Sequence, residues 1–255
     1  MDVSPSSISG VEPDPDALAP PTWHRAVEMA WLLPRLLGRL GHLEARGPEN
    51  GPPVLVIPGF LASDRATIDL RRALARGGWR AHPWKMGQNR GAQDDTLPRL
   101  IDRVGEVAGD DRVLLVGWSL GGLYARALSH HVPDKVRGVV TLASPFSGDL
   151  KTNTNVRALY EKIAGHPVDN PPFALPEGKP PVPSLAFWSR RDGVVAPRAA
   201  RGGEGEVDHA IELDVYHSGM VMHRPSLSRM CHAIRAFVEE HEGDCPIHGR
   251  AANER

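Results

Sequence analysis

The run Arg112-Val113-Leu114-Leu115-Val116 passes straight into Gly117-Trp118-Ser119-Leu120-Gly121. The apolar part reads as a buried strand. A strand that ends in Gly-x-Ser-x-Gly and turns at once into a helix is a nucleophile elbow. The turn is tight enough to strain the serine backbone. Gly117 and Gly121 lack the β-carbons that would collide with the adjoining strand and helix. Ser119 is thereby held up and exposed at the N-terminus of a helix, which the pattern extends from Gly121 to about His131. An activated serine is the leading expectation, and it dictates what else the chain must supply.

The pattern on either side is a regular alternation. Pro53-Val54-Leu55-Val56-Ile57 is a second apolar run, ended by Pro58-Gly59. Asp64 is placed to cap the helix that follows, with Ile68, Leu70 and Leu74 on its apolar face and Gly77-Gly78 as its stop. Trp79 to Trp84 reads as a strand. Leu97, Leu100, Ile101, Val104 and Val107 mark a helix closed by Gly109. Beyond the elbow come strands at Val136 to Leu142, Ser184 to Trp188 and Ala210 to Val215. A last amphipathic helix carries Leu227, Met230, Cys231, Ile234, Phe237 and Val238. Residues 144–183 have little periodicity and many prolines, and read as a partly helical, cap-like excursion over the active face. Strands alternating with helices imply an α/β fold, a mostly parallel central sheet flanked by helices on both faces. In such sheets ligands bind beyond the carboxyl ends of the strands.

A serine hydroxyl needs a base to take its proton and a carboxylate to orient that base. Asp192 follows the strand at 184–188 on a short loop and is the candidate acid; Asp208 and Asp214 are its rivals. His217 follows the last predicted strand and is the candidate base. Of the other late histidines, His209 precedes that strand, His232 lies on the final helix, and His223 is held in reserve. Negative charge on a tetrahedral intermediate calls for two aimed backbone N–H groups. Leu120, after the serine, offers one, and Phe60, in the loop Pro58-Gly59-Phe60-Leu61, offers the other.

These residues carry a resemblance. From about Pro53 to Glu240 the chain resembles the α/β-hydrolase superfamily, whose members present serine, acid and histidine in this order. Thr141-Leu142-Ala143-Ser144-Pro145-Phe146-Ser147-Gly148 is similar to a Gly-Thr-Pro-His-x-Gly segment of bacterial lipases, with Ala143 in place of the first glycine and Phe146 in place of the histidine. The loop Trp84 to Gly91 also resembles one in lipase-like members, and there Asn89 is placed to hydrogen-bond the oxyanion loop. The resemblance implies a serine esterase or lipase-like enzyme that passes an acyl group to water through an acyl-enzyme, without metal or organic cofactor. Its substrate would be a small-molecule or lipid ester. The alternatives are a thioesterase, a small methyl-ester carboxylesterase, or a non-catalytic binding protein on the same fold. Leu61, Trp118, Phe146 and Asn89 are the candidate pocket residues.

Composition bounds the rest. The 255 residues hold 30 Lys and Arg against 31 Asp and Glu, a net charge of −1, which excludes the basic surface of a nucleic-acid binder. The two cysteines, Cys231 and Cys245, read as free thiols. The hydrolase domain spans 45–241. Residues 1–22 read as a disordered leader without a secretory signal, and 242–255 as a polar tail. Residues 23–44 read as an amphipathic helical segment split by Pro34. It packs on the body or, through residues 23–43, rests on a membrane surface. No run is long enough to span a bilayer, and a cytoplasmic protein is expected, with membrane association through that helix as the variant. The oligomeric state is not fixed by the sequence.

Overall fold

The computed structural model describes residues 16, 18–21, 23, 45 and 47–242. Nearly all of the expected leader, the helical segment over 23–44, the tail beyond residue 242 and Cys245 lie outside the described residues.

Six strands form one sheet: β1 (Pro53–Ile57), β2 (Arg80–Pro83), β3 (Val113–Trp118), β4 (Val136–Leu142), β5 (Ser184–Trp188) and β6 (His209–Glu212). Their order is β2-β1-β3-β4-β5-β6, and every neighbouring pair is parallel. The helices between them are α1 (Ile68–Arg76), α2 (Thr96–Ala108), α3 (Leu120–His131), α4 (Arg157–Ala164), α5 (Pro197–Arg201), α6 (Gly219–Met222) and α7 (Arg224–Glu242).

The apolar runs are continuous because both faces of the sheet are covered. Successive side chains of a strand point to opposite faces. Val54, Val56, Leu114 and Val116 therefore join Leu70 and Leu74 of α1 and Met230, Ile234 and Phe237 of α7 in one core. Leu55, Ile57, Val113 and Leu115 join Leu100 and Val104 of α2 and Tyr124 and Leu128 of α3 in the other. β1 and β3 are buried at every residue. At roughly 1.5–3 kcal/mol per fully buried large apolar side chain, these two layers supply the main drive for folding.

Two expectations are corrected. Asp64 does not cap α1; Thr67 holds the cap position and makes no side-chain cap bond. The Asp64 carboxylate instead accepts the N–H groups of Trp84 and Lys85 at 3.0 and 3.2 Å, pinning the turn after β2. Burial raises its pKa, and the Arg71 guanidinium opposes that rise. The last strand ends at Glu212, not Val215, because β6 is an exposed edge strand whose pairing with β5 stops at Trp188. Asp214 thus stands past the strand, exposed and paired with Arg191 at 3.3 Å. The short helices α5 and α6 carry too few turns for periodicity to reveal them. The excursion over 144–183 holds one helix, α4. Cys231 is a free thiol, and burial pushes its pKa up to about 11. No helix among the described residues is long and apolar enough to cross a membrane.

Candidate active site

β3 delivers Ser119 to the carboxyl edge of the sheet, and α3 begins at the next residue. Ser119 takes φ 53, ψ −121, a conformation a residue with a β-carbon enters only under strain. Such strain costs about 1–3 kcal/mol and is held by the surrounding structure. Here the Ser119 N–H donates to Leu142 O at 2.8 Å, and Ser119 O accepts the Gly122 N–H at 2.9 Å. The two motif glycines make the turn possible by their size. A β-carbon on Gly117 would lie 2.3 Å from Gly121 O, and one on Gly121 would lie 2.3 Å from Ile57 O.

The first-strand loop abuts the serine, since a β-carbon on Gly59 would lie 3.1 Å from the Ser119 β-carbon. The Ala62 N–H donates to Gly59 O at 3.0 Å, and the Leu61 N–H to Asn89 O at 2.6 Å. The Phe60 N–H takes no part in these bonds. The Leu120 N–H is one of the helix-start donors that have no intrahelical acceptor. Leu120 thus follows the serine in the chain, and Gly59, the residue before Phe60, lies against it.

Asp192 sits in the loop after β5 and is 3% exposed. Its Oδ1 accepts the N–H groups of Val194 and Val195 at 2.8 and 2.9 Å. Its Oδ2 lies 2.8 Å from Nδ1 of His217, which is 7% exposed. One carboxylate oxygen is fixed by the turn and the other engages the imidazole. Trp118, next to Ser119, packs its ring 5.5 Å from the imidazole centroid and donates its Nε1–H to His217 O at 3.2 Å. The residue before the serine thereby holds the histidine loop. The Ser119 hydroxyl is hydrogen-bonded to no described residue.

The rivals stand elsewhere. Asp208 accepts the Ser184 N–H at 2.8 Å, at the opposite end of the sheet. His209 begins β6 at that same end. His223 Nδ1 contacts Ser226 Oγ at 2.8 Å, and His232 Nδ1 donates to Ser228 O at 2.8 Å on the exposed face of α7.

The pocket candidates divide. Leu61 is 37% exposed beside the site. Phe146 lies under the Arg126 guanidinium, 4.3 Å from its ring centroid. It walls a cleft of about 610 Å³ that also touches Leu123, Leu150, Phe173 and Leu175. Two candidates are buried, and Asn89 makes the bond to the oxyanion loop that the sequence led one to expect. Trp118 belongs to the core, because the parallel pairing of β3 turns its side chain inward under His217. Asn89 is 1% exposed and gives its Nδ2–H to Pro58 O at 2.8 Å, so it buttresses the loop and faces no open space.

The sequence reading missed three residues. Arg126 is buried on α3 and donates to Glu206 O and Gly178 O; burial lowers its pKa to about 10. Tyr124, also on α3, is buried with its hydroxyl 3.5 Å from Asn89 Oδ1. Tyr160 of α4 stacks on Phe60 at 5.2 Å between centroids. None of the three carried a signal in the sequence, because the burial of Arg126 and of the two tyrosines is set by tertiary context. Among the described residues no three His, Cys, Asp or Glu side chains cluster in a way that could hold a metal ion.

A family model described as the alpha/beta hydrolase fold matches residues 52–163. No curated protein matches the chain. Solved structures match over most of it. A candidate lipase from Acinetobacter baumannii is 16% identical with a TM-score of 0.58, covering 77% of this chain and 87% of that one. The naproxen esterase of Bacillus subtilis is 15% identical with a TM-score of 0.53, covering 74% and 86%. A thioesterase domain from the curacin biosynthetic pathway is 15% identical with a TM-score of 0.50, covering 73% and 93%. At such identities these likenesses establish the fold alone.

Proposed function

We propose that this chain, which has the α/β-hydrolase fold, cleaves carboxylic esters with Ser119 as nucleophile, His217 as general base and Asp192 as the acid that orients it. The observation that carries the reading is the backbone of Ser119, strained at φ 53 where a strand becomes a helix. Strain of this kind persists where function requires a side chain to be displayed.

The chemistry follows from the placement. Asp192 Oδ2 accepts the Nδ1–H of His217, which fixes the tautomer and leaves Nε2 as the proton acceptor. Nε2 takes the hydroxyl proton as Ser119 Oγ attacks the ester carbonyl. The carbonyl oxygen gains negative charge and is met by the N–H groups of Phe60 and Leu120. The imidazolium then protonates the departing alcohol, leaving an acyl-enzyme. Water, deprotonated by the same imidazole, attacks the acyl carbon; the acid leaves and Ser119 regains its proton. A thioester would follow the same route with a thiol as leaving group.

A fluorophosphonate probe tests the reading. It should label Ser119 and no other residue, and Ser119→Ala should lose about a millionfold in hydrolysis of short p-nitrophenyl esters while staying folded. An unlabelled, well-folded chain is the result expected of a binding protein on this fold. Comparing matched oxygen esters and thioesters of increasing acyl length then sets the substrate class.

A further inference from the structure

We infer that Asn89 is a positioning residue that sets the oxyanion loop, through Pro58, Leu61 and Ala62, in fixed register against Ser119 and the start of α3. The inference rests on the reading of Ser119 as nucleophile.

Asn89 grips the loop with three of its four polar groups. Its N–H donates to Ala62 O at 2.8 Å, and its carbonyl accepts the Leu61 N–H at 2.6 Å. Its Nδ2–H donates to Pro58 O at 2.8 Å. Carbonyls on both sides of Phe60, and the N–H next to it, are therefore tied to one residue. Leu61 sits at φ 59, a strained value for leucine that these bonds hold in place.

The fourth group reaches the other half of the oxyanion pocket. Asn89 Oδ1 accepts the Gly91 N–H at 3.2 Å and faces the Tyr124 hydroxyl at 3.5 Å. Tyr124 lies on α3, four residues after Leu120. The amide orientation is dictated by its partners: Pro58 O can only accept, and the Gly91 N–H can only donate. Both side chains are 1% exposed, so water is not a substitute partner. Burial holds the Tyr124 pKa well above its ordinary value, and the phenol keeps its proton. One asparagine thus spans the loop that carries Phe60 and the helix that begins with Leu120.

The geometry has a kinetic consequence. Oxyanion donors act on charge that exists only in the transition state. A neutral ground-state carbonyl draws little from them. Displacing the loop should lower kcat and leave KM nearly unchanged.

The test is Asn89→Asp, which keeps the shape and turns the donor facing Pro58 O into an acceptor. The expected result is a folded protein whose kcat on p-nitrophenyl esters falls about 10- to 100-fold, with KM unchanged within about twofold. Fluorophosphonate labelling of Ser119 should slow in parallel, because the phosphonyl oxygen occupies the same pocket. Tyr124→Phe removes only the hydroxyl and should lower kcat about threefold in the same sense; it serves as the reading if Asn89→Asp does not fold. Unchanged kcat in a folded Asn89→Asp, or raised KM at constant kcat, overturns the inference while wild-type labelling leaves Ser119 as nucleophile. If the wild-type chain itself is not labelled, the nucleophile reading fails, and this inference with it.

Discussion

The imidazole of His217 meets one oxygen of Asp192 at 2.8 Å while the N–H groups of Val194 and Val195 hold the other oxygen at 2.8 and 2.9 Å. The carboxylate cannot rotate without breaking two bonds, and it therefore presents a fixed acceptor to Nδ1. The partners stand 25 positions apart in the chain with β6 between them, so the pairing is a product of the sheet and not of local sequence.

Asp192→Asn tests what that acceptor does. An amide in place of the carboxylate allows Nδ1 to lose its proton and leaves the wrong tautomer facing the serine. The expected fall in kcat is about 10⁴-fold, with the fold intact by circular dichroism. Asp214→Asn should stay within about twofold of wild type, since its side chain is 81% exposed and paired only with groups on the surface. A loss at residue 214 with full activity at 192 would assign the acid role to the wrong residue.

Two glycine substitutions should move stability in opposite directions. Gly121→Ala puts a β-carbon 2.3 Å from the backbone oxygen of Ile57. Backbone cannot step aside there without moving β1, so the melting temperature should fall steeply or soluble protein should be lost. Gly105→Ala lies inside α2, where a β-carbon meets nothing within 4 Å. Alanine narrows the unfolded ensemble and favours the helix, so unfolding free energy should rise by about 0.5–1 kcal/mol. Urea melts of the two variants beside wild type give both numbers.

The two glycines also show what the sequence could and could not reveal. The elbow was legible because steric need leaves small residues at fixed spacing around Ser119. β1, β3, β4 and β5 were legible because a strand covered on both faces is apolar at most positions. β6 was legible in existence but not in length, because an exposed edge does not require apolar residues and its pattern runs on past Glu212. Asp192 and His217 could be named from strand ends, and the fold brings them together. Trp118 could not be told from a pocket residue, because which way a side chain faces is decided by its neighbours in space; Asn89 was legible as a support of the oxyanion loop but not as a residue closed off from the pocket. Trp118 turns under His217, and Asn89 under the loop it holds. Arg126 and Tyr124 interrupt a helix of small residues in a way that reads as a solvent face until the excursion over 144–183 is laid across it.

His82 makes stability depend on pH. It lies on β2 with its Nε2 buried and without a hydrogen-bond partner among the described residues. Burial is the largest cause of its depressed pKa, followed by the positive charges of Arg103, Arg80 and Lys85, and together they bring it from the ordinary 6.5 to about 4. Arg103 is locked in place by bonds from Nε and Nη2 to Pro83 O at 3.2 and 2.8 Å, so this charge cannot swing away. Between those two pH values the unfolded chain binds a proton that the folded chain refuses. The stabilisation is therefore complete above pH 6.5, declines as pH falls from 6.5 to about 4, and declines no further below that. His82→Gln cannot titrate. Its urea midpoint should change less than that of wild type on going from pH 7.5 to pH 4.5, by a margin that opens chiefly below pH 6.5. Parallel curves for the two proteins across that interval would show that the imidazole is protonated in the folded state as readily as in the unfolded one.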